Sequence, residues 1–331
     1  MYYHCLRAID RAAAARSPQG LLYTGNGDWN DGLSEIGGES VWLTQFFAVV
    51  LKNFLPFARD DERPRLQALL DETVTALDGC FENGYFLRAI CPDGEALGRT
   101  GGGWCEIDLL PQAFSALVEG GNAEVGRSRS AMENAWKMLW KKDAGLFLLF
   151  DPPYRSTGRF PGYLGGYCPG FRENGGQYTH AALWGAVALF SVGMPEKGLE
   201  VMRAVNPLTR ENGRYKIEPY VLAGDVYSAF GYVGRGGWSH YTGSAGWYLY
   251  ALLHALVGLR FFPGGFRVEP KLTNALSSFC FEMTKNDTFY RIEASLGEQN
   301  ALLLDGNKAK NQFFFDKGAH IVKIILQKTK E

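Results

Sequence analysis

The sequence predicts a mainly α-helical protein that ends in a small β lobe, and three observations carry that expectation. Eight segments hold apolar residues at helical spacing. Four of them are apolar on most sides and follow long Gly-rich loops at intervals of roughly 70 residues. After about Phe262 the pattern turns to short, partly alternating runs rich in β-forming residues.

The helical segments are 2–16, 39–58, 62–81, 106–118, 127–142, 177–192, 196–205 and 243–259. Those starting near Glu39, Glu106, Gln177 and Gly243 read as buried inner helices, and the charged segments between them as outer ones. Stacked around a circle, such pairs make an (α/α) barrel with the long loops at one mouth. Stacked in a line, they make a solenoid of helical hairpins. The first helix begins at Met1 with no cap or lead-in, and four pairs do not close a ring, so the chain reads as starting within a fold. Residues 1–262 form the expected helical domain. Residues 263–331 form the expected β lobe, with strands at 266–269, 279–283, 288–294, 301–304 and 320–326 and turns at Lys285-Asn286-Asp287 and Asp305-Gly306-Asn307.

Of the 331 residues, 46 % are hydrophobic and 21 % charged, and the net charge of −1 gives no electrostatic reason to expect nucleic acid or an anionic membrane as partner. The six cysteines (Cys5, Cys80, Cys91, Cys105, Cys168 and Cys280) form no C-x-x-C pair, which argues against a zinc or disulfide framework and for reduced thiols. The N-terminus lacks a signal-peptide layout, and the apolar stretches 181–194 and 246–259 are too short or carry His254. No membrane span and a cytoplasmic location are therefore expected.

The loops carry the chemistry. The first reads Gly25-Asn26-Gly27-Asp28-Trp29-Asn30-Asp31-Gly32; another runs from Gly162 to His180; a third holds Glu218-Pro219-Tyr220-Val221, Gly224-Asp225 and Gly234-Arg235-Gly236-Gly237-Trp238-Ser239-His240-Tyr241-Thr242-Gly243. A single such loop is equally well an ordinary turn, with Asp and Asn bonding their own backbone. Three at a repeat spacing, each combining acid, aromatic and glycine, mark a site.

These strings, with Gly-Glu-Ser-Val-Trp-Leu at 38–43 and Arg-Glu-Asn-Gly-Gly-Gln-Tyr-Thr-His at 172–180, closely resemble glycoside hydrolase family 94, the inverting β-glycoside phosphorylases. Their wording is nearest the β-1,2-glucan branch. The resemblance runs from Met1 to about Leu272. It implies a partial (α/α)₆ barrel, about four of six helix pairs, and a C-terminal β-sandwich lobe. It implies phosphorolysis of β-linked gluco-oligosaccharides to α-glucose 1-phosphate with inversion, using no metal or cofactor and taking inorganic phosphate as co-substrate.

By that resemblance Asp31 is the general acid, held protonated by burial with Trp29 as its desolvating neighbour and sugar platform. Asp28 is a loop-holding carboxylate. His180, Thr242 and Gly243 would bind phosphate, the last two at a helix N-terminus whose free N–H groups favour an anion. Taken alone, His180 on an apolar helix reads as a core histidine; the surrounding string reverses that. Arg172, Glu173 and Glu218 match sugar-binding positions, with Tyr220 and Asp225 beside them; His240 matches no role.

Two departures from the family stand out. The stretch 32–38 lacks the Arg that helps hold phosphate, for which Arg235 is the candidate replacement. The resemblance also implies an upstream portion, with an Arg-Asp element for the terminal glucosyl unit, outside this sequence, so exposed apolar helix faces are expected, covered by that portion or by a homodimer partner. Two other readings stay open: an inverting hydrolase or glucan-remodelling enzyme with Glu173 or Asp225 as second carboxylate, and a non-catalytic glycan-binding fragment.

Overall fold

The computed structural model of the chain describes residues 1–120, 123, 125–155 and 160–328. The helices are α1 (Tyr2–Ala14), α2 (Val41–Phe54), α3 (Arg63–Ala76), α4 (Leu109–Glu119), α5 (Arg127–Leu139), α6 (Thr179–Ser191), α7 (Pro195–Val205), the single turn α8 (Asn212–Tyr215) and α9 (Thr242–Tyr250). Inner helices start two or three residues later than the periodicity predicts for α2, α4 and α6. Each is preceded by a two-residue strand, Glu39–Ser40, Ile107–Asp108 or Gln177–Tyr178. Side-chain caps then fix two of the starts: Ser40 Oγ accepts from Leu43 N at 3.0 Å and Asp108 Oδ1 from Leu110 N at 2.8 Å.

The inner helices form a row in which α2 packs on α4, α4 on α6 and α6 on α9, while α3, α5 and α7 back α2, α4 and α6. Helix α6 buries every residue from Ala181 to Phe190, as a helix apolar all round must. Outer helix α5 buries one stripe, Ser128, Ala131, Met132, Ala135 and Leu139. One aromatic run crosses the row: Trp42 lies 5.2 Å from Phe114, Phe114 4.9 Å from Trp184, and Trp184 5.5 Å from Trp247. Each edge-on pair contributes about 0.5–1.5 kcal/mol beyond its buried area. At the α1–α2 end, Ile9, Leu43, Phe46, Phe47 and Phe57 line an apolar groove, with Phe46 42 % and Phe57 75 % exposed. Apolar helix faces are thus open at this end among the described residues.

The segment expected as one helix over 243–259 is three things: α9, a π-helical turn at Ala251–Leu256, and the strand Leu259–Phe262. Two contacts stop the helix. His254 Nδ1 donates to Leu259 O at 2.7 Å, and Gly258, at φ 74°, lies so close to the Glu269 carbonyl that a Cβ would collide with it.

Strand Leu259–Phe262 pairs with Gly265–Val268, which pairs with Phe313–Phe314. A second sheet runs in the order Ser278–Lys285, Thr288–Gly297, Ala319–Gln327, Ala301–Leu304, Asn307–Lys308, antiparallel except for the parallel pair Thr288–Gly297 and Ala319–Gln327. Phe266, Tyr290, Ile292, Phe313, Val322 and Ile324 share one core. Residues on both sides of position 262 share the first of these sheets, and 329–331 lie outside the described residues. No described helix is long and apolar enough to cross a membrane.

Candidate active site at the loop ends

The first loop is built by short-range hydrogen bonds and clamped by one long-range cation. Asp28 Oδ1 accepts from Asn30 N at 3.0 Å, Asn30 Oδ1 from Gly32 N at 3.2 Å, and a 3₁₀ turn begins at Asp31. Asp28 also receives both guanidinium nitrogens of Arg88, Nη1 and Nη2, each at 2.7 Å, and the Ser40 hydroxyl at 2.6 Å. Arg88 Nε donates to Asp108 Oδ2 at 3.0 Å. The three charged side chains are no more than 1 % exposed.

Burial pushes the Asp28 carboxyl up, but the charge and hydrogen bonds of Arg88, with those of Ser40 and Asn30, hold it below the usual carboxylate range. Asp108 has the smaller share of Arg88, and burial pushes it up to about 6. For Arg88 burial works against the charge, and the two carboxylates raise its pKa regardless.

Asp31 is exposed, which corrects the expectation that burial desolvates it. The reason is local: its loop turns outward, and Trp29 is turned the other way. Trp29 meets Tyr178, His180 and Trp184 at 5.2, 5.5 and 5.4 Å between ring centroids. Tyr163 donates its hydroxyl to Asp31 Oδ1 in a short hydrogen bond. The turn holding Tyr163 packs on the acid loop so tightly that a Cβ on Gly32 would meet Leu164 Cβ at 2.8 Å.

His180 lies in the first turn of α6, 4.3 Å from the Trp184 ring. Its Nδ1 sits 3.4 Å from where a Cβ on Gly243 would project, so the N-terminus of α9 reaches it. Burial drives His180 down to about 4, and its Nε2 is buried with no partner. Thr242 is the first residue of α9 and is exposed.

Arg172 and Asp225 form the third group. Strand Gln177–Tyr178 pairs with Asp225–Val226, setting Asp225 beneath the Arg172 turn. Arg172 Nη1 reaches Asp225 Oδ1 at 3.3 Å and Nη2 reaches Glu173 Oε1 at 3.6 Å. Its guanidinium lies over Trp238 at 5.5 Å. Gly237 packs directly on the Asp225 carboxylate, since a Cβ there would run into Asp225 Oδ1 and force it to shift. Burial pushes both Asp225 and Glu173 up against the pull of Arg172, with Asp31 among the charges felt by Glu173. Arg172 Nε, Glu173 Oε2 and Asp225 Oδ2 are buried without partners.

Asp31, Trp29, Arg172, Glu173, His180, Asp225 and Gly243 thus gather at one set of loop ends. Glu218 and Tyr220 are not brought in: Tyr220 is 74 % exposed, and among the described residues neither side chain bonds any member of that group. Arg235 lies over Tyr232 in a cavity with Arg214 and Lys216, a cavity that neither His180 nor Gly243 lines. His240 bonds only its neighbour Ser239 among the described contacts. Sequence reasoning missed Arg88, Asp108, Tyr163 and Trp238. Among the described residues no three His, Cys, Asp or Glu side chains converge as metal ligands.

A solved GH78 rhamnosidase of Bacillus sp. GL1 superposes on 99 % of this chain, and 32 % of its own, with TM-score 0.53 at 10 % identity. That likeness is one of fold alone. The family model described as "Glycosyl hydrolase 94 superfamily, catalytic domain" matches residues 1–258, and the chain belongs to that family. It is 37 % identical over 310 residues to the cyclic β-(1,2)-glucan synthase NdvB of Rhizobium meliloti (strain 1021), covering 89 % of this chain and 11 % of that one. It is 24 % identical to the N,N′-diacetylchitobiose phosphorylase of Vibrio furnissii, over 84 % of this chain and 36 % of that one. A 3-O-β-D-glucopyranosyl-β-D-glucuronide phosphorylase of Paenibacillus borealis is 22 % identical, over 88 % and 39 % respectively. The chain therefore spans well under half the length of these curated relatives.

Proposed function

We propose that this chain carries the acid and phosphate sites of an inverting β-glucoside phosphorylase. Phosphate attacks the anomeric carbon of a terminal β-glucosyl unit, Asp31 protonates the departing glycosidic oxygen, and α-glucose 1-phosphate is released. One carboxylic acid suffices, because phosphate is already an anionic nucleophile and no base is needed to activate it. Asp31 Oδ1 takes the Tyr163 hydroxyl, so Oδ2 is the oxygen that would carry the proton.

The observation that supports this reading is the meeting of the acid loop with two inner-helix N-termini, Trp29 against His180 and His180 against Gly243. His180 Nε2 is a buried group without a partner, and a phosphate oxygen between two helix N-termini would supply one. Arg172, Glu173 and Asp225 would bind sugar hydroxyls, with Trp238 as a flat face. Likeness to a cyclic β-(1,2)-glucan synthase favours β-1,2-linked gluco-oligosaccharides as substrate. The open row of helices is read as about four pairs of an (α/α)₆ barrel.

Of the two carboxylates that a hydrolytic reading could use, Glu173 is the one near enough to Asp31 to feel its charge. Burial pushes its carboxyl up, the wrong direction for a base that must be ionised. The test is incubation with β-1,2-gluco-oligosaccharides and phosphate. Phosphate-dependent α-glucose 1-phosphate is expected, falling about 10²–10⁴-fold in Asp31→Asn. Sugar release that needs no phosphate would support hydrolysis instead, and undiminished activity in Asp31→Asn would remove Asp31 as the acid.

A further inference from the structure

Resting on that reading of the site, we propose that Arg88 is a positioning residue, which locks the acid loop onto the N-termini of α2 and α4. Nothing near Arg88 in sequence announces this. It stands in the apolar run Tyr85–Ile90 and is 1 % exposed, yet it meets carboxylates 60 and 20 residues away.

The connections are specific. Arg88 grips Asp28 through two parallel N–H···O bonds, the fork geometry that fixes direction as well as distance. Asp28 Oδ1 in turn holds the Asn30 amide, and Asn30 Oδ1 holds the Gly32 amide, so Asp31 sits between two amides tied to the clamp. The other members of the clamp are helix caps. Ser40, which donates to Asp28 Oδ2, caps α2 through Leu43 N; Asp108, which accepts from Arg88 Nε, caps α4 through Leu110 N. Arg88 N and O are also used: the first donates to Leu97 O at 2.7 Å, the second accepts from Val41 N, the first residue of α2, at 3.2 Å. The guanidinium therefore ties an exposed carboxyl to two rigid elements of the inner row. A lone exposed turn would not hold a proton donor within the fraction of an ångström that proton transfer needs.

Arg88 touches no substrate atom in this reading, and its effect runs through Asp28. The test combines amide exchange with kinetics on the full chain. In Arg88→Lys, which keeps the charge but loses the fork, exchange at the Asn30 and Gly32 amides should rise at least tenfold, with amides of α6 and α7 within twofold. The kcat for phosphorolysis should fall at least tenfold, with KM for phosphate within twofold. Ser40→Ala keeps Arg88 itself intact and should loosen the same two amides severalfold, which guards against an Arg88→Lys chain that does not fold. Unchanged Asn30 and Gly32 exchange, loosening spread evenly over the helical part, or an unchanged kcat would each overturn the inference. A wild-type chain without phosphorolysis overturns only the functional reading, and the exchange results then decide whether Arg88 holds the loop.

Discussion

The helical part and the β lobe treat their polar groups in opposite ways. Among the described residues, every buried side-chain nitrogen or oxygen left without a partner lies at or before Ser244, and several crowd the loop ends: Arg172 Nε, Glu173 Oε2, His180 Nε2 and Asp225 Oδ2. The lobe satisfies its own. Asn311 bonds both N and O of Val268, Thr288 Oγ1 accepts from Lys317 N, and His320 sits between Asp305 and Asp316 at 2.8 and 3.0 Å. A protein interior rarely leaves such groups unpaired. The four at the loop ends support the ligand site proposed there, and the lobe carries no such mark.

The sharpest way to break that comparison is to unpair a network that the helical part does satisfy, the Arg88 clamp. Asp28→Asn leaves Arg88 buried with a single poorly shared carboxylate, and should cost about 3–5 kcal/mol in denaturant unfolding. Asp108→Asn should cost about 1 kcal/mol, since the amide still caps α4. The cost should also shrink with rising pH. Asp108 titrates at about 6 when folded, above its unfolded value, so its contribution is full below about pH 4 and fades through pH 6. An equal cost for the two variants would contradict the unequal sharing of Arg88.

His180 is predicted to act in the other direction. Its folded pKa of about 4 lies below the unfolded value, so the unfolded chain binds the proton more readily and stability falls as pH drops from about 6.5 toward 4. Thermal midpoints of His180→Asn should lack that fall. The smallest effect belongs to the lobe. His320, with both ring nitrogens facing carboxylates, must be an imidazolium to donate to both, and those contacts raise its pKa. Its stabilisation is full below about pH 6.5 and lost as pH rises through the folded pKa. Exposure and screening keep it within about 1 kcal/mol, measured as the pH dependence of His320→Asn.

How much was legible in the sequence differs by range of interaction. The helix pairs and the strands at 288–294 and 301–304 follow from local periodicity, whereas the gathering of Asp31, Arg172, Glu173, His180 and Gly243 was implied only by the resemblance to the family. The inner-helix starts were misjudged because Glu39, Glu106 and Gln177 lie in or beside short pleats whose apolar neighbours mimic helical spacing. Arg88 and Tyr163 were invisible because their partners lie 60 and 132 residues away, and no local pattern encodes such a contact. Asp31 was expected to be buried because Trp29 is its neighbour in sequence. In the fold that indole faces Tyr178 and His180.

The central proposal is that His180 Nε2, unpaired at the loop ends, awaits a phosphate oxygen, while the unpaired carboxylate oxygens of Glu173 and Asp225 await sugar hydroxyls. Calorimetric titration of inorganic phosphate into the full chain and into His180→Ala near pH 7 tests it most directly. Saturable binding by the wild type, weakened at least tenfold in the variant, is the predicted result. Phosphate that fails to bind, or that binds both chains equally, would contradict it.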